Sequence, residues 1–102
     1  MSLKATIWVM DEAPVKSFRE IILLYILANG ADEHGRSTWL QREKAARRLD
    51  CSLEEVTEYL EGLEGRGVIS KGNQEIVSHY PEEDRPIVWD LNLLGPWKEM
   101  GA

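Results

Sequence analysis

Residues 37–69 leave the chain few ways to fold, because helix-start signals recur there at a set spacing. Thr38 precedes Gln41 by three residues, and Ser52 precedes Glu55 by three. In such a capping box the hydroxyl accepts an orphan amide of the first helical turn, and the Gln or Glu reaches back to the cap. Between the two boxes lies Leu49-Asp50-Cys51, long enough only for a turn. Cys51 and Val56 occupy the two positions of a hydrophobic staple, which sets the angle at which the second helix departs. Val56, Leu60 and Leu63 follow at helical spacing, with Tyr59 beside them. Gly65 and Gly67 tolerate the positive φ of a helix stop, and Val68-Ile69 resumes as strand.

Two short helices, a three- or four-residue turn and a following strand describe a helix-turn-helix running into a wing. The run Ser52-Leu53-Glu54-Glu55-Val56-Thr57-Glu58-Tyr59-Leu60-Glu61-Gly62-Leu63-Glu64-Gly65-Arg66-Gly67-Val68-Ile69 resembles the end of a winged helix-turn-helix domain. That family closes its second HTH helix with a Val, a Leu, a Leu-Glu pair, then Gly and a β-branched strand. The resemblance covers roughly residues 18–93. It is closest to the small HTH domains of bacterial and phage regulatory or replication proteins. It implies an α+β fold: a three-helix winged helix-turn-helix with a small antiparallel sheet.

The rest of the chain is assigned around that centre. Residues 6–10 contain Ile7, Trp8 and Val9 in succession, which predicts an N-terminal strand pairing with the wing hairpin. Ser17 and Glu20 form a third capping box, and a first helix is expected over 18–28. Ile21, Ile22, Leu23, Leu24, Ile26 and Leu27 make it apolar almost all round, so it is the expected central helix. The second helix is expected over 39–49 and the third over 53–64. Gly62 inside the third costs roughly 1 kcal/mol relative to Ala. Residues 68–80 read as a strand interrupted at Gly72-Asn73, residues 81–86 as the hairpin tip, and 87–93 as the returning strand, ended by Gly95-Pro96.

A chain of 102 residues holds one small domain and one core. The expectation is a single domain over 1–102, with its core at about 6–93 and a tail over 94–102. The single cysteine cannot form an internal disulfide, which points to a reducing compartment. No basic region followed by an apolar run opens the sequence, and the longest apolar run, 21–28, is far short of a membrane span. A cytoplasmic protein is expected.

Catalytic chemistry finds few footholds. His34 and His79 each lack a second ligand at metal-site spacing. Cys51 is accounted for by the staple and has no nearby base. Glu82, Glu83 and Asp84 cluster on a tip where nothing raises a pKa. No enzyme, metal or cofactor is expected.

The resemblance implies that the second HTH helix faces the major groove of double-stranded DNA. Leu53, Glu54, Thr57, Glu58 and Glu61 are then its base-facing positions, and Ser52 meets a phosphate. The net charge of −6 and three glutamates at those positions are unlike the usual basic footprint. Positive charge gathers instead on and before the second helix: Arg36, Arg42, Lys44, Arg47 and Arg48. The expected DNA-facing set adds Thr38, Gln41, Ser52 and Thr57 to these, with Lys71 and Asn73 from the wing strands. Binding as a homodimer is expected, because one module with few phosphate contacts is weak. The alternative is an acidic winged-helix module that meets a basic protein through Glu54, Glu58 and Glu61, even as a mimic of DNA. Trp8, Trp89 and Trp39 read as core by position. Trp97 reads either as packing under the sheet or as an anchor for a partner.

Overall fold

Leu23, Leu24, Leu27 and Ala28 are all buried on one side of a single helix, and the other elements are laid against it. The computed structural model describes residues 3–15 and 17–97. It is an α+β domain with four helices: α1 (Leu3–Asp11), α2 (Phe18–Gly30), α3 (Arg42–Leu49) and α4 (Leu53–Gly65). Strands β1 (Ile69–Lys71) and β2 (Trp89–Leu91) form an antiparallel pair near the C-terminal end. Ile69 faces Leu91 and Lys71 faces Trp89.

The expected N-terminal strand is a helix. Ile7, Trp8 and Val9 favour strand by propensity, but Ala5, Trp8 and Val9 recur at helical spacing and are all buried, with α1 packed on α2. Burial of that face overrides the local preference. The described residues therefore form four α-helices where three were expected. The second edge of β2 is occupied by Thr38, which makes an isolated antiparallel bridge with Trp89. Its amide donates to the Trp89 carbonyl at 3.0 Å, and the Trp89 amide donates back at 2.6 Å.

That bridge also displaces the first capping box. Thr38 is extended and buried, so α3 starts at Arg42 instead of 39, with Gln41 as an N-cap that makes no side-chain cap bond. Ser17 likewise makes no side-chain cap bond to α2. Its expected partner Glu20 is buried and pairs with Arg66 at the end of α4. The Ser52–Glu55 box forms in full. The Ser52 hydroxyl accepts from the Glu55 amide at 3.0 Å, and the Glu55 carboxylate accepts from the Ser52 amide at 3.2 Å. The turn before it closes on Asp50, which sits in the left-handed region at φ 53°, a conformation that Asp tolerates better than most residues. Arg19 of α2 braces this turn, donating to the Asp50 carbonyl at 3.0 Å and to the Glu55 carboxylate at 3.1 Å.

Both strands are shorter than expected. After Lys71 the chain leaves the ladder into a 3-10 turn, Gln74–Val77, whose Val77 is buried. The Gly72 amide still donates to the Val88 carbonyl at 2.9 Å, and the Gln74 side chain continues the pairing from there. Its amide group donates to the Gly72 and Val88 carbonyls at 2.8 and 2.9 Å, and its oxygen accepts from the Val88 amide at 2.9 Å. A second short 3-10 turn, Glu82–Asp84, occupies the tip. Trp8 and Trp89 are buried as expected, and Trp39 is half-buried. Trp97 packs against the core, its ring centroid 6.2 Å from that of Trp8, and its Nε1 donates to the Asn92 carbonyl at 2.8 Å. No helix among the described residues is long and apolar enough to cross a membrane.

Candidate functional site

Helix α4 buries Val56, Leu60 and Leu63, and this stripe determines what it leaves outside. Leu53, Glu54, Glu58 and Glu61 are exposed and Thr57 is half-buried. On one side of this face runs α3, and on the other the connection between β1 and β2. A cleft of about 630 Å³ lies between them, lined by residues 40–43, by α4, by Lys71, by Tyr80 and by residues 83–87. Its apolar walls come from Leu40, Leu60, Ile87 and Trp89. Its charged groups are Arg42, Lys71 and Arg85 against Glu43, Glu61, Glu64, Glu83 and Asp84. A second hollow of about 390 Å³ lies between α3 and α4 over Arg42, Glu54, Thr57, Glu58 and Glu61. Arg42 crosses it and donates to the Thr57 hydroxyl at 3.2 Å.

The cations divide into engaged and free. Arg85 donates to the Ser78 and Tyr80 carbonyls at 3.1 and 2.9 Å, so it holds the tip together. Arg19 and Arg66 are paired with Glu55 and Glu20. Arg36, Lys44, Arg47, Arg48 and Lys71 are exposed and in no ion pair with a described residue. The α3 cations thus do not neutralise the α4 glutamates within the molecule.

Several expected contact residues are occupied elsewhere. Thr38 must be removed from the DNA-facing set: it is 1% exposed, and its hydroxyl donates inward to the Leu27 carbonyl at 2.6 Å. The Ser52 hydroxyl is engaged by the capping box. Asn73 is exposed, with its side-chain oxygen accepting from the Glu75 amide at 3.1 Å. Gln41 and Lys71 line the larger cleft. The Glu55 carboxyl titrates below the ordinary glutamate range, chiefly through the Ser52 amide, which outweighs desolvation, with lesser help from the charge of Arg19 and the Ser52 hydroxyl. Asp32 is also lowered, by the Arg36 amide first and the His34 amide after it. Both carboxylates serve local structure.

Sequence reasoning missed Tyr80, Pro86, Ile87 and Trp89 as cleft wall. Position in the returning strand marked Trp89 as core, but nothing local shows that residues 80–87 fold back toward α4. No group of three or more His, Cys, Asp or Glu among the described residues is placed to hold a metal ion. Comparison with protein families, curated proteins and solved structures finds no match for this chain.

Proposed function

We propose that this chain is a winged helix-turn-helix protein that binds double-stranded DNA, a small transcriptional regulator or accessory factor of bacterial or phage type. In this reading α3 and α4 are the two HTH helices, Thr38 stands for the first strand, and residues 72–88 are the wing. The observation that carries it is the setting of α4. A fully capped helix follows a tight turn from α3, keeps its outer face uncovered, and has unpaired cations beside it. Lys44, Arg47 and Arg48 on α3, with Arg36 and Lys71, supply the phosphate contacts that dominate affinity. Thr57 and Leu53 offer a hydroxyl and an apolar contact to base edges, and a glutamate can accept from the cytosine amino group. Two copies act together, because few phosphate contacts leave one module weak.

The test is fluorescence anisotropy of the protein against mixed-sequence duplex DNA at low and moderate salt. The expected result is binding that weakens steeply as salt rises. Absence of binding at low salt overturns the reading.

A second reading is favoured by the cleft itself. Its carboxylates outnumber its cations, and Arg85 is already engaged. In this reading Glu54, Glu58 and Glu61, with the acidic tip, meet a basic protein. Glu54→Lys and Glu58→Lys would then abolish that complex without affecting folding, and a strong gain in DNA affinity from the same changes would mean that α4 is not the groove reader.

A further inference from the structure

Helix α1 is apolar on two opposite sides. Its inner side, Ala5, Trp8 and Val9, is buried on the body of the domain. Its outer side carries Leu3, Ile7 and Met10, which are 74%, 47% and 68% exposed. The spacings of four and three residues put these three on one face, and at about 100° per residue that face lies opposite the buried one. Helices apolar all round are normally buried all round, yet only one side of α1 is covered among the described residues.

We propose that the Leu3–Ile7–Met10 face of α1 binds the same face of a second copy of this chain, antiparallel, about a two-fold axis passing near Ile7. The charges flanking the stripe select this occupant. Lys4 lies near one end of the stripe and Asp11 near the other, on the same flank by helical spacing, and both are exposed. Neither is in an ion pair with a described residue. An antiparallel pairing lays Leu3 beside Met10 of the other copy and Ile7 beside its equivalent. It also brings each Lys4 to an Asp11. A parallel pairing would carry the two copies' Lys4 and Asp11 to opposite flanks of the seam, where neither meets its opposite charge. The face is therefore complementary to itself under one two-fold operation, which is the requirement for a closed dimer. Three apolar side chains are fewer than the roughly 20–30 residues a side of a standard interface, so the association is weak and concentration-dependent. It supplies the dimer called for by the DNA reading, but the measurement contains no DNA, so either can fail alone.

The test is sedimentation equilibrium of the chain from micromolar to near-millimolar concentration. The weight-average mass should rise from monomer toward dimer. Ile7→Glu should stay monomeric with an unchanged thermal melt, because the side chain points outward. Lys4→Glu should weaken association about tenfold through the like charges it creates, and adding Asp11→Lys should restore it. A monomer at every concentration overturns the proposal. So does a dimer that survives Ile7→Glu, or a double charge reversal that fails to recover association.

Discussion

The Thr38 hydroxyl donates a 2.6 Å hydrogen bond to the Leu27 carbonyl in the last turn of α2. The Ala31 amide, four residues on, turns to Ala28 instead, at 3.2 Å. One buried side chain thus closes the end of the central helix while its backbone bridges to Trp89. Gly30 is part of the arrangement, since a Cβ there would lie 3.0 Å from the Thr38 oxygen. Thr38→Val keeps the shape and removes the buried donor to the Leu27 carbonyl. A loss of about 1–3 kcal/mol is expected, read from urea denaturation midpoints, and Thr38→Ser should recover part of it.

Glu20 and Arg66 tie α2 to the end of α4 with side chains only 11% and 15% exposed. Removing one partner leaves a charge with little water around it. Glu20→Ala should destabilise the domain by about 3–5 kcal/mol. Glu20→Leu with Arg66→Met should cost much less than the sum of the single changes, because no charge is stranded. A double-mutant cycle in urea measures the difference, and additive losses would show that the pair is not coupled.

The capping box makes the start of α4 sensitive to acid. Glu55 titrates below its ordinary value because the folded state favours its charged form. Its contribution is therefore complete above the unfolded pKa and is lost as pH falls through the folded one. Glu55→Gln should lower the melting temperature at neutral pH and narrow the gap to wild type as pH drops below about 4. Ser52→Ala should cost about 1 kcal/mol at neutral pH, and Ser52→Asp much less.

For the proposed DNA complex, Arg47→Ala and Arg48→Ala should each weaken binding to all duplex sequences alike. Each should also lower the slope of log affinity against log salt by about 1. Thr38→Ala should leave that slope unchanged once its loss of stability is allowed for, because its side chain is inside. Anisotropy titrations across a salt series separate the two outcomes.

Ser52-x-x-Glu55 and Thr38-x-x-Gln41 are the same pattern, and only one became a cap. The first needs nothing but its own four residues and the turn before it, so it is readable from the sequence. The second is overruled by Trp89, a partner far along the chain that draws Thr38 into a bridge. Helix α2 was readable for the same reason as Ser52, since its apolar run admits no exposed strand. Helix α1 was not, because its strand-favouring run is overruled by packing on α2. The α4 face was outlined by its helical spacing, whereas the opposite wall of the cleft depends on where Gln74 and Arg85 tether the loop.

The part played by Gln74 bears on how this domain can change over time. Because one carboxamide completes the pairing with Gly72 and Val88, residues 75–87 are closed off at their neck by a side chain. The exposed tip, Glu82–Asp84, is in effect a replaceable cassette: its length and charge can be exchanged by grafting, while Gln74 holds the neck and the buried Val77 stays with the body. The acidic tip of this chain is then an exchangeable surface on a side-chain clasp, and its charge can be rewritten there without refolding the body.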